Sequence, residues 1–192
     1  MTGLRERKKA KTRKVIREHA MRLFREQGYG KTTVDQIAEA AEVSPSTFFR
    51  YFPTKEDIVL ADDVDPLMVA ALRAQPAELR PIEAVRRALR ETFRDLPEED
   101  WATEQARHEL AMSVPELRAK LFDEYTRTID VLAEALADRA GCGPDDFKVR
   151  NLAGAIIGVS LAAVMTTVDD PKADVMQAVD KGLAHLDAGL PL

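Results

Sequence analysis

Within ten residues, from Ser46 to Lys55, the chain sets two small hydroxyls (Ser46, Thr47), a guanidinium (Arg50), a phenol (Tyr51) and an ammonium (Lys55). Such groups hold a polyanion rather than transform a substrate. Short hydroxyls can exchange hydrogen bonds with base edges, and a phenol or an ammonium can hold phosphate oxygens. The residue types that do covalent or metal chemistry are not grouped in this way. His19, His108 and His185 are scattered, and "RHEL" at Arg107 to Leu110 lacks the second histidine of a zinc-binding helix. There is no glycine-rich phosphate loop, no serine elbow, and Cys142 is the lone cysteine. The expectation is a binding protein and not an enzyme, with no catalytic residue, no metal and no cofactor.

The elements that must carry these residues are legible on either side. Ile16, Ala20, Leu23 and Phe24 form one apolar stripe on a helix running from about residue 10 to 27, and Gly28 supplies its left-handed cap. Thr33 with Gln36 makes a capping box, starting a two-turn helix with Val34, Ile37, Ala38 and Ala41 on one side. Ser44 is a second N-cap with Pro45 at the first helical position, and Pro53 closes that helix by disfavouring the helical conformation at Phe52. Two short helices joined at Glu42 to Ser44 are a helix-turn-helix. Val43, Phe48 and Phe52 reach back to the preceding stripe, which leaves Ser46, Thr47, Phe49, Arg50 and Tyr51 on the other faces. In such a motif the second helix lies in the major groove, its first residues at base edges and its later ones near phosphates. Thr54 caps a further helix whose first turn holds Lys55, where an ammonium and unpaired backbone N–H groups can share one phosphate.

Charge separates the two ends of the chain. Residues 1–56 carry thirteen Lys and Arg against seven Asp and Glu, a net +6, and the remainder carries −11. A basic head on an acidic body is expected where one end meets a polyanion and the other does not. The basic stretch from Arg5 to Lys14 is expected to add backbone or minor-groove contacts, with Arg13 among the DNA-contacting residues.

Residues Gly28 to Val59, "GYGKTTVDQIAEAAEVSPSTFFRYFPTKEDIV", resemble the DNA-binding signature of the TetR family of transcriptional regulators. The resemblance implies a homodimer on palindromic double-stranded operator DNA, usually repressing transcription until a small molecule binds a larger C-terminal domain. Carried over by position, it implies backbone contacts from Thr33, Tyr51 and Lys55, groove-facing sites at Ser46 and Thr47, and Pro45 opening the helix. Two residues depart from the pattern. Glu42 stands where glycine is more frequent, so a side chain is expected at positive φ at a cost of about 1 kcal/mol. Phe49 stands where tyrosine is common; lacking the hydroxyl, it either presses on a thymine methyl or packs.

The rest of the chain is expected to be helical throughout, near 54–74, 81–96, 99–112, 115–140, 145–168 and 172–188, punctuated by Pro76, Pro81, Pro97, Pro115, Pro144 and Pro171. The fold expected is therefore all-α, a helix-turn-helix domain over 1–53 and a helical effector-binding and dimerisation domain over 54–192. The apolar run from Leu152 to Val168 sits at the short edge of what spans a bilayer and lacks basic flanks, so a buried core helix and no membrane are expected. Without an apolar leader block at the start, a cytoplasmic protein is expected. Gly154 and Gly158 lie four apart on that run; with Leu161, and with Val175, Val179 and Leu183 on the next helix, they are expected to pair two copies in a four-helix bundle.

Phe93, Trp101, His108, Met112, Phe122, Tyr125 and Met165 are candidates to line an effector cavity, with Arg107 or His108 as polar anchor. The segment Met112 to Gly141 is similar to the C-terminal domain of the mycofactocin-system type of TetR regulator, which implies a fatty acyl-CoA or another lipophilic effector. A protein that only coated DNA would not need a body more than twice the size of its head.

Overall fold

In the computed structural model, residues 3–60, 65–94, 98–167 and 174–192 are described. They form ten helices: α1 (Leu4–Gln27), α2 (Val34–Ala40), α3 (Pro45–Tyr51), α4 (Glu56–Leu60), α5 (Asp65–Ala74), α6 (Pro81–Arg94), α7 (Glu98–Ser113), α8 (Pro115–Ala140), α9 (Phe147–Met165) and α10 (Val175–Asp187). No strand occurs among the described residues. The expected all-α class holds, and the proline and glycine punctuation sets most boundaries. The chain divides into two compact units, one of residues Met1–Ala61 and Pro97–Leu121, the other of Asp62–Leu96 and Phe122–Leu192.

In the first unit the expected stripe becomes a core: Ile16, Ala20 and Phe24 of α1 meet Ile37 and Ala38 of α2 and Phe48 of α3, with Phe52 just beyond. Ile58, Val59 and Leu60 of α4, Ala111 of α7 and Leu117 of α8 belong to the same cluster. The boundary expected at 53/54 therefore falls inside this unit, because three consecutive apolar residues of α4 are inserted into the helix-turn-helix core. The basic stretch from residue 4 onward is the opening of α1, since lysine and arginine are good helix formers and neither proline nor glycine interrupts them. The expected capping devices form as well. Thr33 and Gln36 make both hydrogen bonds of their box, and Ser44 Oγ accepts from Thr47 N at the start of α3. Glu42 sits at φ 54°, the strained turn position anticipated.

The second unit is built around Leu72, Val85, Ala88, Leu132, Leu136, Ala153, Ile156 and Leu183, contributed by α5, α6, α8, α9 and α10. Gly182 is the close-approach position: a Cβ there would stand 2.9 Å from Val159 Cγ1. Arg86 grips Asp180 through two bonds of 3.0 and 2.8 Å, and Arg90 adds a third at 3.0 Å, which ties α6 to α10. The α9 helix is long and apolar enough to cross a membrane by length and composition alone. Contrary to the expectation of a core helix, only its Val149, Ala153 and Ile156 are buried. Its opposite side, through Gly158, Ala162 and Met165, is exposed.

Candidate nucleic-acid interface

The outward surface of α3 is fixed by what α3 buries. Phe48 and Phe52 are 0 % exposed and hold α3 against the first unit's core, so Pro45, Ser46, Phe49 and Arg50 stand exposed, with Thr47 and Tyr51 half-buried on the flank. Phe49 is 52 % exposed, and its ring meets that of Phe48 edge to face, with centroids 5.4 Å apart at 88°. Phe49 is therefore not part of the first unit's buried core. Ser44 Oγ lies 2.9 Å from both Ser46 Oγ and Thr47 Oγ1, so the two expected base-reading hydroxyls already share the helix cap.

Two residues expected at DNA hold the unit together. Lys55 Nζ donates to Tyr29 O at 2.9 Å and Thr32 O at 3.0 Å, and stands 4.1 Å from the centre of the Tyr29 ring. It thereby closes the α1–α2 turn, which Gln27 Nε2 braces from the other side through Thr32 Oγ1 and Gln36 Oε1. Arg13 donates to the carbonyl oxygen of Tyr51 at 2.8 Å with its guanidinium 4.4 Å from the Phe52 ring centre, so it fastens the end of α3 to α1. Both roles need contacts between segments distant in sequence, and no local spacing announces them. Thr33 is exposed at the start of α2, its Oγ1 accepting from Gln36 N at 3.2 Å.

The candidate effector residues separate. Arg107 is buried in the first unit and donates from Nε to Val59 O at 2.9 Å, joining α7 to α4. His108 has its Nε2 buried without a hydrogen-bond partner; burial, helped by the neighbouring Arg107 charge, holds its imidazole below the usual histidine range. Met112 is half-buried on α7, and the side chain of Trp101 lies outside the described residues. In the second unit, Phe122 and Met165 are 75 % and 55 % exposed, so neither lines an enclosed cavity. The Tyr125 and Thr92 oxygens are buried without a partner, and burial pushes the Tyr125 phenol up. Phe93 lines an open cleft of ≈ 240 Å³ with Leu89, Arg90, Arg94, Met176 and Asp180. No sequence pattern joins α6 to α10 there.

The pairing residues divide in the same way. Val179 and Leu183 are buried in the second unit's own core and have no surface for a second copy, which corrects their expected place at an interface. Val175 packs partly against that core. Leu161 is half-buried, and a Cβ added at Gly154 or Gly158 would meet nothing within 4 Å.

A helix-turn-helix with a buried aromatic brace, joined to a helical body, defines a DNA-binding transcriptional regulator, and the chain belongs to the TetR family of bacterial regulatory proteins, whose DNA-binding description matches residues 16–61. Residues 79–191 match the MftR C-terminal domain, so the body is of that type. The chain is 38 % identical to the regulator TcmR of Streptomyces glaucescens, over 77 % of this chain and 69 % of that one. It is 27 % identical to the putative mycofactocin biosynthesis regulator MftR of Mycobacterium tuberculosis, over 96 % and 93 %. Among solved structures, the Thermus thermophilus repressor FadR, in complex with lauroyl-CoA, superposes with a TM-score of 0.59 at 26 % identity, covering 94 % of this chain and 95 % of that one.

Proposed function

We propose that this regulator is a cytoplasmic, ligand-responsive repressor. Two copies pair and set their α3 helices in successive major grooves of a palindromic operator. A small lipophilic effector, a fatty acyl-CoA or a compound of similar character, binds the helical body and releases the DNA. The observation that carries the effector reading is that the body holds polar atoms buried without partners, Thr92 Oγ1 on α6 and Tyr125 Oη on α8 in the second unit and, separately, His108 Nε2 on α7 in the first. Each such atom costs about 1–3 kcal/mol unless something supplies its hydrogen bond, and a ligand is the natural supplier in a sensor. The MftR-type body and the lauroyl-CoA bound by the Thermus FadR support the lipophilic class. Pairing through α9 is supported by its exposed apolar side and by the open space above Gly154 and Gly158.

The test is to capture genomic DNA fragments on the full chain and titrate the complex with lauroyl-CoA, free laurate and coenzyme A. Release by lauroyl-CoA but not coenzyme A is the expected result. Indifference to all three would count against the lipophilic class, and indifference to a broad metabolite panel would favour a purely architectural DNA-binding protein.

A further inference from the structure

We propose that Arg50 is the residue through which this protein chooses its operator, by donating two hydrogen bonds to O6 and N7 of one guanine in each half-site. The proposal rests on the reading of α3 as the helix that enters the groove, and adds to it a residue and a base. Phe48 and Phe52, both fully buried, precede and follow Arg50 by two positions. Phe48 lies within α3, and at about 100° per residue its ring points about 160° around the helix from the Arg50 side chain; Phe52, just past the end of α3, is extended. Arg50 therefore leaves α3 on the side away from Phe48, and it is exposed. Its guanidinium carbon stands 5.3 Å from the centre of the Tyr51 ring, which restrains where the fork can go.

None of the hydrogen bonds or ion pairs among the described residues uses Arg50, whereas Arg13 is fastened to Tyr51 O and Arg22 to Glu26. The nearby hydroxyls are weaker candidates, since Ser46 and Thr47 are short and both lie within 2.9 Å of the capping Ser44 Oγ. A guanidinium presents its N–H donors in a rigid fork, and guanine is the base whose major-groove edge offers two adjacent acceptors. The exposed Phe49 next to it is apolar and adds no competing donor.

The experiment selects bound duplexes from a randomised library with the wild-type full chain, with Arg50→Ala and with Arg50→Lys. The wild type should enrich a motif with a fixed guanine in each half-site. Arg50→Ala should enrich the same motif with that position degenerate, and should bind the wild-type motif about 10- to 100-fold more weakly. Replacing the guanine by 7-deazaguanine should weaken the wild type and leave Arg50→Ala unchanged. Arg50→Lys keeps the charge without the fork and should lose most of the guanine preference. Retention of the guanine by Arg50→Ala, or an equal loss on every sequence, would overturn the assignment of Arg50 while leaving DNA binding by α3 intact. Failure of the wild type to enrich any motif would overturn both. Arg50 is exposed, so unchanged thermal unfolding of the variants confirms that the comparison is between folded proteins.

Discussion

Lys55 ties the chain after α3 to the turn before α2: its ammonium donates to the carbonyl of Tyr29 at 2.9 Å while standing 4.1 Å from the centre of the same residue's ring. With the second bond to Thr32 O, one cation fastens the start of α4 to the turn between α1 and α2. Tyr29 is buried and its phenol is pushed well above the usual range by desolvation, reinforced by Glu56, Glu116 and Asp57, so it faces Lys55 as a neutral ring.

Lys55→Ala is accordingly expected to act twice. Loss of two charge-assisted hydrogen bonds and a cation–π contact should destabilise the protein by about 2 kcal/mol, read as a lower urea midpoint. If the ammonium also neutralises one phosphate in the complex, the slope of log affinity against log salt falls by about one unit. A variant that loses the slope but keeps the midpoint would refute the bracing role.

Glu42 at φ 54° holds a conformation that favours glycine. Glu42→Gly should relieve strain of about 1 kcal/mol, partly offset by the greater freedom of an unfolded glycine. A small rise in unfolding midpoint is expected. DNA affinity should rise too, because a carboxylate leaves the turn ahead of α3. A drop in both would mean that Glu42 makes a favourable contact in the complex.

His108 is held neutral by burial and by Arg107. The sign follows from linkage: the unfolded imidazole takes up a proton near its ordinary value of about 6.5, whereas the folded one does so only at lower pH. Stability is therefore fully present above that value and is lost as pH falls through the folded one. Unfolding midpoints measured from pH 8 down to pH 5 should decline in the wild type and flatten in His108→Phe. An effector that accepts or donates a hydrogen bond at Nε2 should weaken in the same variant.

A Cβ at Gly158 meets nothing within the chain, whereas one at Gly182 would stand 2.9 Å from Val159 Cγ1. Gly182→Val should destabilise the isolated fold. Gly158→Leu should leave it intact and, if α9 pairs with a second copy, shift the protein from dimer toward monomer in sedimentation velocity. An unchanged dimer in Gly158→Leu would place the pairing surface elsewhere.

What the sequence determined by itself is local and periodic. Capping boxes, proline stops and the i, i+3, i+4 stripes involve residues within two turns of one another, so Thr33–Gln36, Ser44–Pro45 and the inward Phe48 and Phe52 could be read directly. The positive φ at Glu42 was implied by the resemblance, in which glycine is more frequent at that turn position. Tertiary structure decided which of several equivalent apolar or polar residues meets which distant partner. Periodicity makes Val179, Leu183 and Leu161 alike, yet the approach of α10 to α9 at Gly182 buries the first two inside the unit and leaves the third half-buried. Lys55 and Arg13 read as DNA-contacting cations along the chain, and only folding brings the carbonyls of Tyr29, Thr32 and Tyr51 within 3.0 Å of them. Backbone carbonyls are the same at every position, so no residue type in the sequence marks the ones a cation will find.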